Sequence, residues 1–559
     1  MKRQLGFILA GLLLAAFLIQ AVSTLSMTAP TYDEVAHIAA GYAALTTGRY
    51  HLNREHPPLV KLLAALPLLS IGGRVEAFDP SWPATDEWTF GRRFLFGPER
   101  PTARLLWWSR LPMIALGLLG AVAVYVWALN LYGQAGGLGA LALYSFSPTL
   151  LAHTRLVTTD VAVGVFGLMS CYCCWRLMKQ PTPLWAAMTG LALGSALAAK
   201  YSALLLVPAL LLAVGWVLWS RRLGGLKRAG GNPSSRVKTT GPNLRSLCLL
   251  AGVILLSALS VVGFSYGFPP SLTPYLKGMR LIGFNHAEGY LFYLLGQFDV
   301  DGFFYYFPAA FLLKTSPAVL LAGALAVGLL IWRGSAVSPS ETSPGEVSEV
   351  SHRPFLFLPP LIYLLTIMAF APEIGLRYIL PLYPFLFVSL GWLPGALSRR
   401  IAPWVLTGLF LLHVHAALVA HPDPISYFNG LLGCQGPQAI RCLDDSNLDW
   451  GQDLGRIAAV VDPLRDGEEE IGFLYFGTAD PAAYLSGIRS MQFSEMVQPK
   501  PQIYVLSVHH LNRWNRVIKE RTGLDWFARF EPLTSVGNTY LVYDLRKGKV
   551  RSVLSSSPG

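Results

Sequence analysis

The chain has 559 residues, of which 53% are hydrophobic and 14% charged, and it carries 44 basic and 32 acidic side chains. A soluble protein carries roughly a quarter charged residues, so the composition excludes a disordered chain, a collagen-like fibre and an ordinary soluble enzyme, and indicates a polytopic membrane protein. The net charge of +12 does not require a nucleic-acid partner, because basic side chains in short loops set the orientation of membrane proteins.

Eleven stretches approach the roughly 20 apolar residues needed to cross about 30 Å of hydrocarbon. The first follows Met1-Lys2-Arg3 and ends without a clear small-residue cleavage site, which predicts a retained helix and not a signal peptide. The predicted spans are 5–29, 110–131, 137–153, 159–178, 183–199, 201–220, 246–268, 309–332, 354–371, 377–394 and 402–420.

We expect a multi-pass protein of a plasma membrane, and the distribution of basic residues predicts that its N-terminus is cytoplasmic. In that orientation the inner segments hold 15 Lys and Arg, and the short outer turns contain only Arg155, Lys200 and Arg377, as the positive-inside rule requires. An odd number of spans then puts the C-terminus outside. One missed or additional helix between 137 and 220 would reverse the side of the membrane on which the C-terminal tail, residues 421–559, lies.

The charge density predicts a domain boundary near residue 420. Residues 421–559 hold 16 of the 32 acidic side chains, and strand-like runs at 471–476, 503–508 and 540–543 accompany helix-like stretches at 450–461 and 511–521. We therefore expect a transmembrane body at 1–420, with a first outer loop at 30–106, and a small extracytoplasmic α/β domain at 421–559. The predicted fold class is a polytopic α-helical membrane protein with this domain at its C-terminus.

Of the 16 acidic residues before position 421, thirteen gather at one predicted membrane face and three lie in an inner linker. None lies in the middle of a predicted span, where ion-coupled transporters carry ionisable groups. Such a distribution favours an enzyme at the membrane–water boundary over a lipid or sugar transporter or flippase, and over a non-catalytic assembly protein. The thirteen residues on the outer face are Asp33, Glu34, Glu55, Glu76, Asp79, Asp86, Glu87, Glu99, Asp160, Glu288, Asp299, Asp301 and Glu373.

Two acidic clusters in the first outer loop are candidates for chemistry. Asp33 and Glu34 follow the first span, with His37 four residues after Asp33, a spacing that would supply a base and an orienting neighbour; the alternative is that Asp33 caps the next helix. Glu55 and His56 precede Pro57-Pro58 and could contribute to a divalent-metal site. The alternative there is an amphipathic surface helix that begins at Pro57, with Lys61 extending to the interface.

Several motifs, in their order and on their predicted side of the membrane, resemble those of a known superfamily. The chain resembles the GT-C glycosyltransferases that use polyprenyl- or dolichyl-phosphate sugars, in the branch of protein O-mannosyltransferases and the aminoarabinose transferase of lipid A. The residues that carry the resemblance span nearly the whole chain: Tyr32-Asp33-Glu34, Glu55-His56-Pro57-Pro58-Leu59, Thr159-Asp160, Lys200, Phe307-Pro308, Lys314-Thr315, Arg377-Tyr378, Pro381-Leu382-Tyr383-Pro384, Ser426-Tyr427-Phe428-Asn429 and the run 445–453.

This resemblance implies an inverting transfer of a sugar from a lipid phosphate to a hydroxyl of a protein, lipid or glycan. Asp33 would be the general base, supported by Glu34, and Asp160 would orient the acceptor or the base. Arg377 and Tyr378 would bind the donor phosphate, together with Lys200 and Lys314. The alternative for these two lysines is that each extends to the interface from a helix end.

The resemblance also implies a metal site that pairs Glu55 with His286, against the alternative that His286 is simply hydrogen-bonded. His56 replaces the Lys that often precedes the two prolines in the aminoarabinose branch, so a phosphate contact and that acceptor do not follow. The spacing of Asp445, Asp449 and Asp453 would give an acidic stripe on one helix face, for acceptor binding, or a solvated helix start near Trp450. Cys434 and Cys442 could form a disulfide.

Overall fold

The computed structural model describes residues 2–71, 80–97, 100–229, 244–281, 289–334, 350–467 and 469–546. Its helices are α1 (Lys2–Ser23), α2 (Tyr32–Thr47), α3 (Leu59–Ala65), α4 (Glu87–Phe96), α5 (Thr102–Ser145), α6 (Pro148–Thr154), α7 (Asp160–Lys179), α8 (Pro183–Ala199), α9 (Leu206–Ala229), α10 (Leu244–Ser265), α11 (Thr273–Met279), α12 (Tyr306–Lys314), α13 (Pro317–Gly334), α14 (Arg353–Phe370), α15 (Tyr383–Leu390), α16 (Leu393–Ala396), α17 (Ala402–Ala420), α18 (Ile457–Val461), α19 (Val508–Thr522) and α20 (Trp526–Arg529).

Within the described residues, eight helices are long and apolar enough to cross a membrane, or nine if α12 and α13, bent by 114°, form one span. The predicted number of eleven is therefore not confirmed. The predicted spans 110–131 and 137–153 fall largely in the 44-residue α5, and 183–199 forms a 17-residue apolar helix. The first helix ends at Ser23, six residues before the predicted limit. The difference in number arises because α5 is counted once although it breaks at Gly133, between two predicted spans. The helix at 183–199 is also short, and α12 and α13 are bent.

The long helix α5 folds back on itself at Gly133. That residue has a φ of 72°, which a glycine adopts at no steric cost. The Tyr144 hydroxyl donates a 2.9 Å hydrogen bond to the Gly117 carbonyl, although in a straight helix the two residues would be about 40 Å apart. The two arms of α5 are therefore antiparallel neighbours, and the second arm leads through α6 back to the end of the molecule at which α2 begins.

The tail forms a five-stranded sheet. The order of its strands is β4-β3-β5-β7-β6. Earlier in the chain, β1 (Phe292–Leu294) and β2 (Gln297–Asp299) form a separate two-stranded hairpin. Strand β5 runs parallel to β3 and antiparallel to β7, with Val505 opposite both Phe473 and Val542. The strands are β3 (Ile471–Leu474), β4 (Ile488–Ser490), β5 (Ile503–Ser507), β6 (Thr534–Val536) and β7 (Tyr540–Asp544).

Both faces of this sheet are covered. Val505 and Val542 belong to a buried cluster with Ile457 of α18, whereas their neighbours Tyr504 and Tyr543 lie in a cluster with residues of α19 and α20. This alternation follows from the two-residue period of a strand. The predicted fold class, a polytopic helical protein with a small C-terminal α/β domain, is confirmed. The domain limits at 420 and 421 and the side of the membrane remain predictions.

Candidate functional site

Four segments that are distant in sequence bring their polar side chains together. Asp33 lies in the first turn of α2 and Asp160 is the first residue of α7. Lys200 follows the last residue of α8, and Arg377 belongs to the 3-10 helix Leu376–Leu382. Because the first turns of helices stabilise negative charge, the two carboxylates occupy favourable positions.

Arg377 and Asp33 form the first of two ion pairs. Arg377 Nη1 donates to Asp33 Oδ2 at 2.5 Å, with side-chain exposures of 11% and 16%. Arg377 Nε is buried and forms no hydrogen bond with any residue in the described part of the chain. The guanidinium therefore binds Asp33 through one nitrogen and keeps a further donor without a partner.

Lys200 and Asp160 form the second pair, which also lies near the Tyr378 ring. Lys200 Nζ donates to Asp160 Oδ1 at 2.5 Å, and both side chains are largely buried. Lys200 Nζ lies 4.8 Å from the centre of the Tyr378 ring, and Arg377 Cζ lies 5.4 Å from it. The site thus contains two cations, each neutralised by a carboxylate, around one aromatic ring.

The Glu34 side chain is fully buried and pairs with residues other than Asp33. Its carboxylate accepts five hydrogen bonds: two from Arg110, two from Thr31 and one from the Val157 N–H. Burial alone would raise its pKa, but the Arg110 guanidinium and these donors hold the pKa of Glu34 below its usual value. Thr31, and not Asp33, is the N-cap of α2. Glu34 therefore fixes the start of the helix that carries Asp33.

Lys314 makes contacts that differ from those of Lys200. Its ammonium donates to the carbonyls of Ile425, at 2.7 Å, and Asn447, at 2.5 Å. The Phe428 ring lies 4.3 Å away, and the residue is 5% exposed. Lys314 therefore joins α12 to the start of the tail, and it neither extends to an interface nor contacts the two ion pairs.

Glu55 lies in a second polar cluster behind Asp33. Asn53 Nδ2 donates to both Glu55, at 3.3 Å, and Glu87, at 2.9 Å, and burial together with the charges of Glu87 and Asp33 raises the pKa of Glu55 to about 7. Lys61 is buried and donates to the carbonyls of Asn53 and His56. The alternative of a surface helix with an interfacial Lys61 is wrong, since the backbone encloses its ammonium.

The metal pairing stays a prediction, because His286 lies outside the described residues. In the ranges that the structure describes, no group of three or more His, Cys, Asp or Glu side chains could hold a metal ion. Glu76, Asp79, Glu99 and Glu288 also lie outside these ranges.

The run 445–453 is part of the site, in a way that its spacing did not predict. The acidic stripe is wrong, because this segment is not one helix: Asp445–Asn447 form a 3-10 turn, and the next begins at Leu454. The solvated helix start near Trp450 is wrong as well, because all three carboxylates are buried. Asp449 instead accepts a 2.5 Å hydrogen bond from the Ser507 hydroxyl, and Asp453 accepts from Arg456 and Thr539. These carboxylates therefore hold the segment against the sheet.

Two residues of this run contact the segments that carry Arg377 and Asp33. The Asn447 side chain accepts from the Leu376 N–H at 2.9 Å, and the Trp450 ring lies 4.5 Å from Arg377 Cζ. The ring of buried His153 lies 6.0 Å from that of Trp450. The sequence did not predict that His153 and Asn447 belong to the site. Only the motif at 445–453, which contains Asn447, indicated that this part of the chain has a function.

Part of the chain matches a family of known function. Residues 103–228 match the family of dolichyl-phosphate-mannose-protein mannosyltransferases. The match covers α5 to α9, including Asp160 and Lys200. Over those residues it confirms the resemblance inferred from the motifs and supports glycosyltransferase activity. No curated protein sequence matches the chain.

Three solved structures are similar to this chain. ArnT from Cupriavidus metallidurans in the apo state has 13% sequence identity and a TM-score of 0.47, over 97% of this chain and 98% of that one. The Archaeoglobus fulgidus oligosaccharyltransferase in the apo form has 10% identity and a TM-score of 0.44, over 90% and 70%. The S. cerevisiae Pmt1-Pmt2 complex bound to the sugar donor has 20% identity and a TM-score of 0.34, over 52% and 36%.

Proposed function

We propose that this chain is an inverting membrane glycosyltransferase, which moves a sugar from a polyprenyl-phosphate donor to an acceptor hydroxyl at the outer face of a plasma membrane. The observation that carries the proposal is the paired arrangement of Asp33 with Arg377 and Asp160 with Lys200 around Tyr378. The family match over residues 103–228 supports the lipid-phosphate donor. The acceptor belongs to a protein, a lipid or a glycan.

The reaction needs a base for the acceptor and positive charge for the leaving group. Asp33 removes the proton of the acceptor hydroxyl as its oxygen attacks the anomeric carbon. The bond between that carbon and the phosphate oxygen breaks, and its electron pair leaves with the polyprenyl phosphate. Arg377 and Lys200 stabilise the charge that develops on this phosphate, and attack opposite to the leaving group inverts the anomeric centre.

Arg377 fits the phosphate role because of the donors that its ion pair leaves unused. A guanidinium presents five N–H donors in a planar fork, and in this structure Nη1 binds Asp33 whereas the buried Nε has no partner. A phosphate that binds the remaining donors would weaken the hold of Arg377 on Asp33. Donor binding would then free the carboxylate to accept the hydroxyl proton.

The remaining predicted residues have supporting roles in this proposal. Asp160 holds Lys200 at the site, Glu34 fixes the start of α2, and the Tyr378 ring lies within 5.4 Å of both cations. Lys314 attaches the tail. Glu55 and His286 would hold the divalent ion that the resemblance implies, and no step of the transfer depends on it.

Release of polyprenyl phosphate tests the proposal. Membranes that contain the wild-type chain or Asp33→Asn are supplied with radiolabelled polyprenyl-phosphate sugars and native membrane acceptors. We expect release by the wild type and a loss of about 10²- to 10⁴-fold in the variant, the range for a general base. The matched control is Asp462→Asn, an isosteric change at a carboxylate that is 56% exposed in the tail, which should retain full release.

Two outcomes would contradict the proposal. Release at the wild-type rate by folded Asp33→Asn would remove this residue as the base. Absence of release from every donor, with translocation of the labelled lipid, would instead support the transporter alternative. The anomeric configuration of the isolated product, read by NMR, distinguishes inversion from retention.

A further inference from the structure

The tail contributes a residue, Trp450, that contacts both Arg377 and the residue directly before Asp33. We infer that Trp450 is a positioning residue of this site, whose ring orients the Arg377 guanidinium and whose backbone fixes the segment before Asp33. The inference rests on the proposed function, because it assigns the donor-binding geometry of that site. It makes the tail a structural part of the active site.

The first contact is made by the ring. Trp450 is 2% exposed, and Arg377 Cζ lies 4.5 Å from its ring centre, within the distance at which an aromatic face attracts a cation. Among the residues that the structure describes, Arg377 has one side-chain hydrogen bond, to Asp33, and a single hydrogen bond allows a guanidinium to pivot. The Trp450 ring restricts that rotation and so determines where the unused donors point.

The second contact is made by the backbone. The Trp450 carbonyl accepts a 3.0 Å hydrogen bond from the Tyr32 N–H, directly before Asp33. Two neighbouring bonds reinforce it: the Ala29 N–H donates to the Gln452 carbonyl at 2.9 Å, and the Thr478 hydroxyl donates to the Tyr32 carbonyl at 2.6 Å. Trp450 therefore contacts Arg377 through its ring and Tyr32, the residue before Asp33, through its backbone.

The turn that presents Trp450 is itself constrained. Gly451 has a φ of 85°, and a Cβ there would lie 3.1 Å from the Phe476 carbonyl oxygen. Only glycine adopts this conformation readily. The Trp450 N–H donates to Gln452 Oε1 at 2.8 Å. The backbone thus holds the ring in place without help from the guanidinium, which makes the ring a preformed support for Arg377.

The test compares Trp450→Leu and Trp450→Phe in the full-length protein, in nanodiscs, with a radiolabelled polyprenyl-phosphate sugar. Leucine keeps an apolar side chain but removes the aromatic face; phenylalanine keeps that face. We expect kcat/KM for the donor to fall about tenfold in Trp450→Leu, as loss of a buried cation–π contact implies, and to stay within about threefold of wild type in Trp450→Phe.

A matched control separates positioning from stability. Trp514→Leu removes an indole of the tail that packs against Phe493 and not against either ion pair. The kcat/KM of this variant for the donor should equal that of the wild type. Wild-type kcat/KM in Trp450→Leu would overturn the inference. So would an equal loss in the Phe and Leu variants, or a loss that tracks the melting temperature across all three.

A stability measurement keeps this inference distinct from the proposed function. If the wild type neither binds polyprenyl phosphate nor turns over any donor, the proposed function fails. The contact is then judged by a double-mutant cycle of Trp450→Leu with Arg377→Lys on the unfolding equilibrium. A coupling above about threefold supports the positioning contact, and additivity overturns it.

Discussion

Glu34 and Arg110 form a bidentate ion pair in which both side chains are fully buried. Arg110 Nε lies 2.9 Å from Oε1 and Nη2 lies 2.7 Å from Oε2. Arg110 also donates to the carbonyls of Leu25, Thr28 and Ala29, so the pair closes the connection between α1 and α2. The position of Asp33, one residue before Glu34, depends on this closure.

Replacing Glu34 by Gln should destabilise the protein, because Arg110 then keeps a buried charge without its counter-ion. Breaking a buried pair in this way costs about 3–5 kcal/mol, measured as the free energy of unfolding in detergent. The control Glu520→Gln breaks an exposed pair with Arg516 and should cost less than about 0.5 kcal/mol. Equal stability of the two variants would contradict the importance of the buried pair.

Arg377→Lys should impair donor use although it preserves the charge. Lysine lacks the planar fork, so it cannot bind Asp33 and a phosphate at once. We expect kcat/KM for the donor to fall about 10- to 100-fold, as the loss of a hydrogen bond to a charged group implies. Arg400→Lys, at an exposed position, is the control. Full activity of Arg377→Lys would show that a point charge is sufficient.

Lys314→Met should weaken attachment of the tail without a direct effect on phosphate binding. The change leaves the buried carbonyls of Ile425 and Asn447 without their shared donor, and each such group costs about 1–3 kcal/mol. We expect a lower melting temperature, with the affinity of the folded fraction for polyprenyl phosphate retained. Loss of that affinity at unchanged stability would restore the phosphate role that the resemblance implied.

The contribution of the Asp449 carboxyl to the stability of the tail should fall as the pH rises from about 4 to about 7. Burial raises the pKa of Asp449 to about 7 despite the bond from Ser507. A carboxyl with a raised folded pKa stabilises the fold fully below its unfolded pKa, near 3.9, and this contribution is lost as the pH rises through the folded value. Asp444, whose pKa burial also raises to about 7, acts in the same direction.

Asp449→Asn measures the share of that effect due to one carboxyl. The amide cannot ionise, so the fall in melting temperature between pH 5 and pH 8 should be smaller in the variant than in the wild type. Asp480→Asn, at a surface carboxylate that caps a short turn, should keep the wild-type fall. An identical pH profile for Asp449→Asn would show that this carboxyl is ionised in the folded state across the range.

The amino-acid sequence determined the features that depend on local pattern. Apolar length predicted the helical membrane body, and the runs at 471–476, 503–508 and 540–543 predicted β3, β5 and β7, because burial against a core repeats with the period of a strand. The position of Asp33 after the first helix and of Arg377 before α15 was also evident. These features require no knowledge of which distant segments meet.

Only the tertiary structure decided which charges face one another. Arg377 and Asp33 are 344 residues apart, and their pairing depends on the reversal of α5 at Gly133 and on the Trp450 turn. Glu34 and Lys314 were predicted at the reaction centre by the resemblance, yet the structure gives them partners in Arg110 and in the carbonyls of the tail. The reason is physical: a buried charge is tolerated only where other groups satisfy it, and those groups come from segments that sequence spacing does not relate.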